Sequence, residues 1–271
     1  MKRDNLCRIG ALLCGLLFLG YYFWDPFRSL SDPTLRLLLK SAVPRAIGSL
    51  VFLFVLLYRQ FPVWHPFRRE HLLAVLPALV IAVNNFPLIA LGTGAVRIVR
   101  ADLLWLLIVD AFCIGLFEEL AFRGVFFPIL LQKFGKDRRG VVWVTVLSSA
   151  VFGLVHLVNL IEGAGPGATL LQVGYSFLIG GMCAIVLLKT GNLLWCVLLH
   201  AVYDLGGSLV SMLGEGTLWD VPTVVLTVIV SLAVAAWMLC LLFRVHPAEA
   251  RKLYEKQEER GEESYGEYHQ N

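Results

Sequence analysis

Apolar residues fall into runs of roughly 20, the length that carries an α-helix across the hydrocarbon of a bilayer. Short segments that hold most of the charge separate them. The runs lie at 9–24, 38–57, 71–92, 102–132, 141–161, 168–188, 193–213 and 222–243. This pattern predicts an all-α, polytopic transmembrane helical bundle of about eight spans. The first run follows Lys2 and Arg3 and ends in Tyr21-Tyr22-Phe23-Trp24. No small-x-small cleavage site follows it, so it reads as a retained span ending in an interfacial aromatic belt. Two runs carry helix breakers: Pro44 with Arg45 in the second, and Pro77, Asn84, Asn85 and Pro87 in the third. Proline frees a backbone carbonyl that must find another partner in lipid, which makes both runs candidates for broken, tilted or partly re-entrant spans.

Composition agrees with a membrane solvent. The chain is 58% hydrophobic and 16% charged, with a mean hydropathy of +0.74, against about 45–50% and 25% for a soluble domain. A net charge of +3 gives no reason to expect a nucleic-acid partner. Residues 1–246 read as one integral-membrane domain. From 247 to 271 the chain turns charged and Glu-rich, which predicts a cytoplasmic tail with a short surface helix near 248–259 and disorder elsewhere. Sixteen lysines and arginines fall on one side of the runs and six on the other, with Arg123 left over inside the membrane. The positive-inside rule then places both termini in the cytoplasm, and with no organellar signal the expected location is a bacterial plasma membrane. Cys7, Cys14, Cys113, Cys183, Cys196 and Cys240 form no C-x-x-C pair and read as small core residues. No internal repeat of the transporter kind is visible.

The chemistry-bearing residues lie inside the runs. The fourth holds Phe117-Glu118-Glu119-Leu120-Ala121-Phe122-Arg123, where each charge costs roughly 2.5–3.5 kcal/mol on insertion scales. Glu119 and Arg123 are four apart, so an α-helix would stack them as an ion pair, while Glu118 points elsewhere. Asp110, Ile114 and Glu118 repeat the same spacing. The fifth run offers Phe152 and His156, and the seventh His200 and Asp204, again four apart. Packing alone explains any one pair; a carboxylate pair, two histidines and an aspartate on three runs point to a polar active-site cavity among spans 4, 5 and 7. A glutamate beside a histidine can hold a water molecule and accept its proton, and the second histidine can hydrogen-bond the oxyanion formed when that water attacks a carbonyl. No serine or cysteine occupies an evident nucleophile position, and G-x-S-x-G is absent. A divalent metal such as zinc on Glu118, His156, His200 or Asp204 is the competing arrangement. H-E-x-x-H is missing, and spacing does not separate the two mechanisms.

The series E-E-x-x-x-R, F-x-x-x-H and H-x-x-x-D, in order on successive runs between about 100 and 210, resembles the CPBP family. These are the type II CAAX prenyl endopeptidases and their bacterial relatives, also called the Abi family of intramembrane proteases. The resemblance implies an intramembrane endopeptidase in which Glu118 and His156 activate water. It further implies that His200 and residue 204 stabilise the oxyanion or complete the site, and that Glu119, Arg123 and Phe152 support it. The prenyl endopeptidases carry asparagine where this chain has Asp204; an ionised aspartate repels an oxyanion, so it must be protonated, orient His200 or bind an ion. The implied partners are the bilayer and a peptide or membrane-protein substrate. Two readings of other classes stand beside this one: a proton-coupled transporter using Asp110, Glu118 and His156 as relay steps, and a non-catalytic immunity or scaffold protein.

Overall fold

The computed structural model of the protein describes residues 25–59, 65–161, 163–216 and 221–255. The run at 9–24 and the tail beyond 255 lie outside the described residues, as do Cys7 and Cys14. Helix dominates. Among the described residues, five helices are long and apolar enough to cross a membrane: Pro33–Tyr58, Arg138–Ile161, Pro166–Thr190, Leu193–Leu213 and Val221–Phe243. Helix α1 (Pro33–Arg59) begins where Asp32 Oδ1 accepts hydrogen bonds from the Thr34 and Leu35 N–H groups, both at 3.0 Å. It then runs unbroken through Pro44, so one proline proves insufficient to end the second run. Arg45 Nη1 donates to Ser41 O and Oγ, at 3.0 and 2.9 Å, in the turn beside the proline.

The third run is broken. It forms α2 (Leu72–Asn84) and α3 (Leu88–Thr93), and Asn85, Phe86 and Pro87 between them leave the helix. The fourth run is continuously helical but not uniformly α. Helix α4 (Leu104–Glu119) passes into a π-helical stretch, Leu120–Phe126, and then into α5 (Phe127–Phe134). Next come α6 (Arg138–Leu154), a 3-10 turn (Val155–Leu157), α7 (Val158–Ile161), α8 (Pro166–Thr190) and α9 (Leu193–Leu213). After α10 (Val221–Phe243), the described part of the expected surface helix at 248–259 is helical only within α11 (Pro247–Arg251). Two three-residue strands, β1 (Val96–Ile98) and β2 (Gly214–Gly216), pair antiparallel with Arg97 opposite Glu215.

By contacts the chain forms two compact units. The first comprises Met1–Val55, Leu79–Leu120 and Val197–Val234. Its core packs Leu38 of α1 against Leu103, Leu106 and Leu107 and against Leu209 and Leu213 of α9. Polar latches close its loops: Arg100 Nη2 reaches Asp32 at 2.7 Å and Asp102 at 2.9 Å, Arg36 pairs with Asp25, and Arg97 lies 3.0 Å from Glu215. Arg36, Arg97 and Arg100, three of the six positive residues that the charge bias places on one side, are thus each paired with an acid.

The second unit comprises Leu56–Ala78, Ala121–Cys196 and Ala235–Asn271. In it α6 packs along α8, where a Cβ on Gly153 would lie 2.7 Å from Val173 O, so glycine is what lets the two backbones approach. Cys183 and Cys196 are buried as expected, and Cys196 Sγ is 3.2 Å from Cys183 O, but Cys240 is exposed on α10. Residues 247–255 are not an unpacked tail: Ala250 and Leu253 are buried and Glu249 pairs with Lys189 at 2.8 Å. The change of composition at 247 therefore precedes the end of the packed chain.

Candidate active site

In the first unit, Glu118 and Glu119 end α4, while His200 and Asp204 sit on α9. The two helices touch at Gly115. A Cβ there would lie 3.0 Å from both Ala201 N and Val197 O, so the absence of a side chain lets the helices meet one turn before the carboxylates. Glu119 is fully buried and His200 nearly so. His200 Nδ1 donates to the Glu119 carboxylate at 2.8 Å, a charge-assisted contact that fixes the ring's orientation. The other ring nitrogen faces the remaining acids: His200 Nε2 is 3.4 Å from Asp204 Oδ2 and 3.8 Å from Glu118 Oε2. Both of those carboxylates are half-buried.

Asn85, in the break between α2 and α3, donates to Tyr203 O at 2.7 Å. A Cβ on Gly206 would meet Asn85 C and Phe86 N at 2.9 Å. The interrupted third run is thus seated on the turn of α9 that carries Asp204. Asp110, two turns before Glu118, is buried near Ser41. Sequence reasoning missed Ser41, Asn85 and Gly115 as site-building residues; the N-N-x-P break was the one visible signal, and nothing local marked Gly115.

The second unit holds the other motif residues. Arg123 lies in the π-helical stretch, where hydrogen bonds run from i to i+5. Arg123 is 1% exposed, and its guanidinium carbon sits 4.2 Å from the centroid of the Phe152 ring. That cation–π contact is worth about 0.5–2 kcal/mol. Phe122 packs edge-on against the same ring at 4.9 Å. Gly180 of α8 makes room, since a Cβ there would fall 2.7 Å from Arg123 Nη2 and 2.9 Å from Phe152 Cδ1.

Phe152 does a second job through its backbone. His156 lies in the 3-10 turn that follows α6, and its Nδ1 is 2.9 Å from Phe152 O. A carbonyl only accepts, so Nδ1 carries the hydrogen and Nε2 keeps a lone pair in the neutral ring. The tautomer suits a proton acceptor or a metal ligand. Among the described residues, however, no three histidine, cysteine, aspartate or glutamate side chains come together as a metal site.

Against known proteins, residues 100–206 match a family model described as "Type II CAAX prenyl endopeptidase Rce1-like". No curated protein and no solved structure matches the chain. The matched segment contains Glu118, Glu119, Arg123, Phe152, His156, His200 and Asp204, the residues on which the resemblance was drawn. Over residues 100–206 the chain is therefore similar to the Rce1-like type II CAAX prenyl endopeptidases, the family to which its motif residues point.

Proposed function

We propose that the protein is an intramembrane endopeptidase in which Glu118 and His156 activate a water molecule. The observation that supports this best is the bond from His156 Nδ1 to Phe152 O. It leaves Nε2 as the basic nitrogen and fixes where that nitrogen points. In the reaction, water oxygen attacks the scissile carbonyl carbon while its proton passes to the Glu118 carboxylate, with the water held by His156 Nε2. The oxyanion that forms accepts a hydrogen bond from Nε2–H of His200 in its imidazolium form, whose Nδ1–H is held by the buried Glu119 carboxylate. Collapse breaks the C–N bond, and the proton held by Glu118 leaves on the amine. Asp204, 3.4 Å from His200 Nε2, serves as a positioning residue for that ring in the resting site.

The substrate is a peptide or membrane-protein segment. The location is a bacterial plasma membrane with both termini cytoplasmic, as the distribution of lysine and arginine supports. The test is cleavage of a membrane-peptide library by the protein in proteoliposomes, with Glu118→Gln, Glu118→Ala and His156→Ala compared for activity and membrane insertion. Loss of about 10²–10⁴-fold in rate is expected with insertion unchanged. Full activity of Glu118→Gln overturns the assignment of the base, and solute flux without cleavage overturns the protease reading in favour of transport.

A further inference from the structure

A second site lies in the second unit, lined by none of the motif residues. It is a cavity of about 380 Å³ between the C-terminal end of α8, the 3-10 turn Arg69–His71, the end of α10 and α11. Its size is within the range of about 300–1,000 Å³ for ligand sites. The wall is built rather than incidental. Gly191 has φ +62°, and a Cβ there would fall 2.7 Å from His65 Cδ2, so only glycine lets the imidazole lie on the end of α8. Asn192 Nδ2 donates to His65 O at 2.9 Å and fixes that strand of chain. His71 is buried, and its Nδ1 accepts from the Arg68 N–H at 3.2 Å, so its Nε2 carries the proton and is a donor.

The charges around this cavity favour an anion. Arg68, Lys189 and Lys252 outnumber Glu70 and Glu249. Lys189 is held by Glu249 at 2.8 Å, and Arg68 by Glu70 at 3.5 Å with both side chains largely exposed. Cations and an imidazole N–H around one space suit the oxygens of a phosphate group. Beside it the end of α10 contributes Leu241 to the lining and leaves Leu239 and Phe243 exposed. Both α8 and α10 are long and apolar enough to cross a membrane, so a cavity at their ends lies level with lipid headgroups. We propose that this cavity binds the phosphate of an anionic lipid headgroup, with Glu249 as the competing carboxylate that occupies Lys189 when the lipid is absent.

The test titrates the full chain in mild detergent with short-chain phosphatidic acid, short-chain phosphatidylcholine and inorganic phosphate, read by calorimetry. Phosphatidic acid should bind more tightly than the other two. The double variant Arg68→Ala/Lys252→Ala should weaken its binding about thirtyfold, at about 1 kcal/mol per cation. Glu249→Gln should strengthen it, and Lys133→Ala/Lys136→Ala, an equal loss of exposed charge elsewhere on the unit, should leave it unchanged. Inorganic phosphate binding as tightly as the lipid would overturn the lipid assignment and make the site one for free phosphate. Equal binding of the two lipids, or equal loss in the Lys133/Lys136 variant, would overturn the site itself.

Discussion

Gly115→Ala tests whether close approach of α4 and α9 is what places Glu119 against His200. The added Cβ would lie 3.0 Å from Ala201 N and Val197 O and 3.4 Å from Ala201 Cα, where ordinary contact begins at 3.4 Å. The obstructing atoms are backbone, so no side chain can swing aside, and Ala201→Gly gives no rescue. The helices must move apart by a few tenths of an ångström. That shift would stretch the 2.8 Å bond between His200 and Glu119 towards the roughly 3.2 Å limit of a good hydrogen bond. Overpacking of this kind costs about 1–3 kcal/mol. Misplacing a catalytic group by 1 Å can cost about 10²-fold, so a shift of this size should lower cleavage several-fold. Gly174, inside α8 with nothing within 4 Å of its added Cβ, is the internal control. Gly174→Ala should be neutral or stabilise by about 0.5–1 kcal/mol through helix propensity. Thermal unfolding in detergent, with cleavage measured on the same preparations, reads both. A Gly115→Ala protein as stable and as active as the parent would refute the reasoning, as would equal destabilisation by Gly174→Ala.

Gly180→Ala should displace Arg123 from the Phe152 ring, because the new Cβ would come within 2.9 Å of both side chains; a loss of about 1–3 kcal/mol is expected in thermal unfolding, and an unchanged melting point would remove the cation–π contact from the account. Asp204→Asn should keep most of the activity, since an amide can still orient His200, whereas Asp204→Leu should lose about 10²-fold or more in kcat. Equal activity of the two variants would show that Asp204 does not act on His200. Away from the membrane spans, the Arg100 hydrogen bond holds the Asp32 carboxyl below its usual 3.8. Its stabilising effect is therefore complete above pH 3.8 and fades only as pH falls through the lowered folded value. Asp32→Asn should abolish that acid-side slope, and a carboxyl resonance of Asp32 titrating at the ordinary value would contradict the pairing.

The spans were legible because lipid imposes a simple rule: about twenty apolar residues and internally satisfied backbone. The seventh run, 193–213, matches α9 at both ends. The third did not reveal its form, because prolines alone do not break a helix: α1 passes through Pro44 and α2 contains Pro77. The chain leaves the helix at Asn85–Pro87, where Asn85 can bond Tyr203 O, a partner 118 residues away. Local sequence holds no record of such a partner. The π-helical turn at Leu120–Phe126 was equally hidden, since the same residues are compatible with an α-helix.

Sequence by itself determined that this is an apolar helical chain carrying costly ionisable residues, and named which ones, because charges in hydrocarbon are rare enough to be read one at a time. Tertiary structure decided what each one holds: Glu119 orients His200, the Phe152 carbonyl sets the His156 tautomer, and the Phe152 ring carries Arg123. The physical reason is that such partnerships depend on how closely two backbones approach. That distance is set by glycines such as Gly115 and Gly180, whose importance lies in the neighbour they admit from another part of the chain.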